Sequence, residues 1–338
     1  MRLYARFAAG MAFLSGALFA GTAMAAPHFT INKLVSDQAG VAAHTDLDLV
    51  NAWGISHAPG GPLWISDNGT DKSTIYDSSG NKQFGVTLSP GAPTGTVYVP
   101  NGGFVIQKNG VSGSALFLFD TESGAIEGWS PSVDQNGVVA LDNSAAGAVY
   151  KGLAIDGATN RLFAANFAKN KVEIYNANFK LIGTFTDRGL PKRFAPFNVA
   201  VLNGKVYVAF AKREKGGIDE LHRKGLGYVD VFDTSGNFLT HLIANGVLNA
   251  PWGMTIAPSG FGKMSGALLV GNFGDGRIHA YDANTGDFKG TLRDSDGSPL
   301  SIDGLWALDG TTGSSSVTFT AGPGDESHGL LGNIAPAP

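Results

Sequence analysis

Asp325, Glu326, Ser327 and His328 form the densest group of chemically capable side chains near the C-terminal end of the chain. A carboxylate beside an imidazole suits acid–base chemistry or metal binding. Glu326 and His328, with Asp303 upstream, are therefore the candidate catalytic residues. The same stretch, Pro323 to Gly329, also has the composition of an ordinary exposed hairpin loop. The other histidines (His28, His44, His57, His222, His241 and His279) are scattered, and none falls in a His-Glu-x-x-His spacing. No Gly-x-Ser-x-Gly elbow in a strand–helix context and no nucleotide-binding loop is present.

These residues must be positioned by a repeat. Asn51-Ala52-Trp53-Gly54-Ile55 is followed by Leu63-Trp64-Ile65-Ser66-Asp67-Asn68 and then by Thr74-Ile75-Tyr76-Asp77. The pattern returns as Ala250-Pro251-Trp252-Gly253-Met254, Leu268 to Phe273, and Ile278 to Asp282. Unit starts at Gly54, Gly95, Gly152, Asn198, Gly253 and Gly304 lie 41 to 57 residues apart. Four short strands in each unit of roughly 40–50 residues is the spacing of a β-propeller. The expected fold is all-β: a six-bladed propeller of four-stranded blades. Blades are expected near 49–90, 93–131, 148–187, 195–242, 248–293 and 301–334, within one domain over 26–334. In unit two the strands are read at Pro93 to Val97, Gly103 to Ile106, Leu116 to Asp120 and Ile126 to Trp129. The last unit lacks an outer strand, and residues 29–36 supply one, closing the ring and removing open sheet edges. The Tyr-Asp and Phe-Asp ends of third strands run into Gly-containing turns, which is a structural use of Asp.

In a four-stranded blade, with strands A to D from the axis outward, the D–A and B–C connections emerge on one face. That places Asn51, Lys151, Asn198, Asn249 and Asp303 beside Asp67, Asn68, Asn166, Asn272, Asp275 and the 322–329 segment. As turn-formers, Asn and Asp satisfy loop backbone. As a ring, their oxygens suit a hard divalent cation, Ca²⁺ above all, which takes six to eight oxygen ligands. Asp303, an acid before an inner-strand Gly, is the leading single candidate. Trp53 and Trp252 either stack on a ligand or pack between blades. The 211–227 insertion carries Lys212, Arg213, Lys215, Arg223 and Lys224, and reads either as a lid for an anionic ligand or as a solvated loop. The candidate ligand-binding set is Asn51, Trp53, Asn68, Asn166, Asn198, Arg213, Arg223, Asn249, Trp252 and Asn272.

Composition agrees with this picture. There are 48 Gly, set at turns, and charged residues make up 15% of the chain against a usual ~25%. Cys is absent, so disulfides contribute nothing. Arg2 and Arg6, the apolar run from Phe7 to Ala20 and Ala23-Met24-Ala25 form a signal-peptide pattern over 1–25. Its apolar run is too short for a good membrane span, and none follows. Removing it leaves 22 basic against 28 acidic residues, which argues against a nucleic-acid partner. The expected protein is an exported monomer, periplasmic or extracellular. Its partner would be a small-molecule, carbohydrate or protein ligand at the mouth.

Leu49 to Ile55, Asn249 to Gly253, Gly271-Asn272-Phe273-Gly274-Asp275-Gly276 and Phe319 to Gly324 together resemble an uncharacterised family of exported bacterial six-bladed propellers. The resemblance spans nearly the whole mature chain. More distantly, the chain is similar to NHL-repeat and gluconolactonase-like propellers. The latter similarity implies an axial cation that activates water, with Asn198, Asn249 and Asp303 at the analogous positions and no early Glu to match. Two functions follow as expectations: a ligand- or partner-binding module, and a metal-dependent hydrolase or lactonase.

Overall fold

The computed structural model describes residues 28–337. The expected signal peptide lies outside them. The fold is a six-bladed β-propeller with four antiparallel strands in each blade. Blade one is Ala52–Ser56, Leu63–Asp67, Lys72–Tyr76 and Lys82–Thr87. Blade three begins at Tyr150–Asp156, blade four at Phe194–Leu202 and blade five at Pro251–Ile256. Blade six takes Leu305–Asp309, Val317–Ala321 and Leu330–Pro336 from the end of the chain and Phe29–Ser36 from its beginning. Phe29 pairs with Pro336 and Ser36 with Leu330, so the early strand closes the ring. His44–Thr45 adds a short parallel edge to that strand.

Blade two differs from its expected outline. Its strands are Pro93–Tyr98, Phe117–Thr121, Ala125–Trp129 and Val138–Asp142. The run around Val105 belongs instead to a separate hairpin, Val105–Lys108 with Val111–Ser114, inserted between strands A and B. The two apolar runs are alike in period. Hairpin closure at Asn109-Gly110, both at positive φ, pairs the first run with its own neighbour.

In blades one, four and five the third strand ends in an Asp-centred turn, as the residue types imply, whereas Asp120 lies in the second strand of blade two, buried and bonded to Thr94 Oγ1 and Gly95 N. Asp77 Oδ1 accepts the Ser79 and Asn81 amides at 2.9 and 3.0 Å while Gly80 takes φ +88°. Asp233 does the same for Ser235 and Asn237. The cores lie in the seams between blades. One example packs Phe29, Phe261, Leu269, Ile278 and Phe319, all at most 1% exposed, between blades five and six. Burying such a side chain contributes about 1.5–3 kcal/mol.

Candidate functional site

Every inner strand carries a β-bulge at the same register. In blade one, Ala52 pairs with Asp67 and Ile55 with Ile65, so Trp53 and Gly54 together face Ser66. The equivalent pairs are Thr94-Gly95, Lys151-Gly152, Phe197-Asn198, Trp252-Gly253 and Trp306-Ala307. A bulge turns a side chain out of the regular alternation. Six of them, one per blade, stack two rings of residues around the axis.

The first ring is Trp53, Thr94, Lys151, Phe197, Trp252 and Trp306. Trp53 and Trp306 stack with ring centres 3.4 Å apart, and Trp252 meets both edge-on at 6.0 and 5.7 Å. Phe273, from the B–C connection of blade five, stacks on Trp306 at 3.8 Å. Together with Phe167 and Phe197 these rings form one buried cluster that fills the axis at the D–A face. Trp53 and Trp252 are thus committed to the ring rather than to a single seam.

Lys151 occupies the place where blades one, five and six have Trp. Its ammonium lies 5.3 Å from the Trp53 ring centre and 5.9 Å from that of Phe167. Glu122 Oε1 stands 2.7 Å away, Asp219 Oδ1 3.4 Å and Glu220 Oε2 4.0 Å. Burial works to lower the Lys151 pKa, but these carboxylates outweigh it and hold the group protonated above its usual range. Asn51 links this cluster to blade six: its Nδ2 donates to Glu326 Oε2 at 2.7 Å and to Asn68 Oδ1 at 3.2 Å, and its Oδ1 accepts Trp306 Nε1 at 2.9 Å. Asn68 in turn donates to Glu122 Oε2 at 3.0 Å. Burial, with help from Glu220 and Glu122, raises the Glu326 pKa against the opposing Asn51 hydrogen bond and Lys151 charge.

The expected mouth is therefore capped by these rings, and an ammonium of the chain itself sits among the carboxylates there. Asn198, Asn249 and Asp303 do not form one ligand set. Asn198 Nδ2 donates to Trp252 O at 2.8 Å and its Oδ1 accepts Val199 N at 2.8 Å. Asn249 N donates to Asn272 Oδ1, and Asn272 Nδ2 donates to Val247 O and Asp275. Asp303 is exposed and accepts Gly324 N. Gly304 is not the sixth inner-strand position; Ala307 is, because Leu305 pairs with Ala321 and Leu308 with Phe319. Asn166 belongs to a separate network with Glu173. His328 turns outward to Asp37 at 2.8 Å. From the 211–227 insertion the acids Asp219 and Glu220 reach Lys151, and Arg213 lies 6.0 Å from the Phe167 ring centre. Arg213 donates to Ala168 O, and Arg223 is exposed.

The second ring has glycine in four of its six places, because neighbouring inner strands touch there. A Cβ at Gly95 would lie 2.3 Å from Leu153 N, and one at Gly253 2.5 Å from Trp306 O. Blade four has Asn198 instead, whose Oδ1 fills the space over Gly152. Below this ring the axis opens. A cavity of about 720 Å³ is lined by all six inner strands and reaches the A–B connections at Pro59, Pro100, Gly157 and Thr311. Its first layer is Ile55, Thr96, Leu153, Val199, Met254 and Leu308. Thr96 Oγ1 is buried there with no hydrogen-bond partner. At the A–B end, His57 Nε2 meets Thr311 Oγ1 at 2.8 Å and Asp309 Oδ2 at 3.4 Å. The hydrogen bond to Asp309 raises the His57 pKa, with burial opposing it. Burial alone would raise the Asp309 pKa, but His57 and Thr311 bring it below the usual carboxylate range.

Sequence reasoning passed over Trp306, Glu122 and Asp309. Trp306 had a readable signal, since it precedes the inner-strand position just as Trp53 and Trp252 do. Among the described residues no helix is long and apolar enough to cross a membrane. No family model matches the chain. The chain is similar to two uncharacterised proteins of Acanthamoeba polyphaga mimivirus. It is 35% identical to L690 over 93% of this chain and 87% of that protein. It is 33% identical to R648 over 93% of this chain and 82% of that protein. The chain belongs to the family of these proteins, which are viral where its motifs suggested an exported bacterial group. Their names state no activity.

Proposed function

We propose that this propeller is a binding module whose ligand sits in the axial cavity at the A–B face rather than at the capped mouth. The observation that carries this reading is the cavity itself, lined by every blade and floored by the second ring. About 720 Å³ lies within the roughly 300–1,000 Å³ of small-molecule sites, and apolar walls with few polar groups are their usual make-up. The ligand is a small, mostly apolar molecule. Its polar groups meet Thr96 Oγ1 near the floor and the His57–Asp309–Thr311 cluster at the rim. Residues 1–25 support export as the route of this protein to its ligand.

The test is titration with 1-aminoanthracene, a neutral apolar fluorophore, on the wild type and on Ala200→Trp, which fills the cavity from blade four. Saturable 1:1 binding lost in the variant is expected. No saturable binding, or equal binding by both proteins, would overturn the reading. Native mass spectrometry of protein expressed with its own N-terminus reads any retained ligand together with the chain mass. An uncleaved N-terminus would count against export.

A further inference from the structure

Blades two to five carry a buried ionisable side chain at one equivalent position of strand C: Glu127, Glu173, Asp230 and His279, facing Phe119, Ala164, Val208 and Val270 of strand B. Three are served by local donors or acceptors. Glu173 accepts from Tyr150 and Tyr175 at 2.6 Å each and pairs with Lys171 at 2.9 Å. Glu127 accepts Ser89 N at 3.0 Å through Oε2, with no partner at Oε1, and His279 bonds Thr291 Oγ1 at 2.9 Å. Asp230 is different. Its cross-strand neighbour is His241, and Asp187, just past the last strand of blade three, reaches over the seam to join them.

His241 Nδ1 lies 3.0 Å from Asp187 Oδ2 and 3.0 Å from Asp230 Oδ1. One donor atom from each of the three lies within 4.8 Å of the others. Among the described residues, His241 is the only basic side chain bonded to either carboxylate. A single Nδ1 proton cannot serve two carboxylates fully. Asp187 Oδ1 is already taken by Gly189 N at 2.6 Å. Asp230 has no exposed side-chain surface, yet its Oδ2 accepts no hydrogen bond. A buried carboxylate oxygen without a partner is costly, and a cation removes that cost.

We propose that Asp187, Asp230 and His241 bind a divalent transition-metal ion of the Zn²⁺ class and clip blade three to blade four. Metal–ligand bonds of about 2.0–2.1 Å in a tetrahedral site set neighbouring donors roughly 3.3 Å apart, close to the 3.0 Å from His241 Nδ1 to each carboxylate. Two carboxylates and one imidazole suit such an ion, whereas Ca²⁺ takes six to eight oxygens. The side chain of His241 is 49% exposed, so the ion enters from solvent and completes its shell with water.

The test is calorimetric titration of chelator-treated, folded protein with Zn²⁺. The wild type should bind one ion, and its melting temperature should rise with Zn²⁺. Asp187→Asn and His241→Ala should each weaken binding by about tenfold or more. His241 lies at the surface end of the cluster while the Asp187 side chain is largely buried, and circular dichroism checks the folding of both variants. His328→Ala breaks a separate Asp–His pair, with Asp37, and should bind as the wild type does. Absent saturable binding, undiminished affinity in both cluster variants, or loss of binding in His328→Ala would overturn the proposal.

Discussion

The two ends of the propeller axis are built from the same six strands and differ in nearly everything else. At the D–A end the first ring turns three Trp, a Phe and a Lys inward, and the connections lay carboxylates over them. At the A–B end, a few residues further along each strand, the side chains stop short of the axis and leave a cavity. The transition takes place at the second ring, where the strands at Gly54, Gly95, Gly152 and Gly253 approach too closely for a Cβ. Symmetry of backbone does not impose symmetry of surface. Each bulge offers one inward position, and its residue type decides whether the axis is filled, charged or left open.

This contrast breaks most readily at the filled end. Trp306→Ala removes the ring on which Trp53 and Phe273 both stack, and should cost about 3–5 kcal/mol in chemical denaturation. A loss below about 1 kcal/mol would mean that the plug is not what holds the inner strands together. Lys151→Met keeps the volume and deletes the charge. It leaves Glu122, Glu220 and Glu326 without their cation, at an expected cost of about 3 kcal/mol near neutral pH. Without the ammonium, Glu326, whose folded-state pKa burial already raises, loses the charge that opposes that rise. The folded variant then binds protons that the unfolded chain does not, and its stability recovers as pH falls. The deficit against wild type should therefore be smaller at pH 5 than at pH 8; an equal deficit at both would exonerate the carboxylates.

The smallest effect belongs to the open end. His57 has a raised folded-state pKa, so its bond to Asp309 contributes fully below the unfolded value near 6.5 and fades as pH rises through the folded one. Asp309, with a lowered folded-state pKa, contributes above its unfolded value and fades as pH falls through the folded one. His57→Gln should cost on the order of 1 kcal/mol between about pH 5 and 6 and little above pH 8. Stability curves of the two proteins that stay parallel across this range would separate His57 from Asp309.

The architecture was readable because apolar alternation and Gly placement are local and recur. Gly54, Gly95, Gly152 and Gly253 do mark one ring. Reading failed where pairing rather than pattern decides. Val105-Ile106 alternates like a blade strand but pairs in an inserted hairpin, and Val138–Asp142, half-exposed and mixed in type, carried too little signal. Gly304 drew attention to Asp303, although the ring position is three residues on. The charge cluster was harder still. Lys151, Glu122, Glu220 and Glu326 come from four blades, and only the closed ring makes them neighbours. The odd residue out was nonetheless visible, since Lys151 precedes a ring glycine where Trp53 and Trp252 do so in their own blades.

Ring closure also has a mechanical side. The first described strand and the last lie antiparallel, with Phe29 beside Pro336 and Ala337 N bonded to His28 O at 2.8 Å. Tension between these two ends does not load the ladder in parallel; it peels the strands apart one pair at a time, beginning at Phe29. The clasp that removes the ring's exposed edges is thus also the line along which a pull on the chain would first open it.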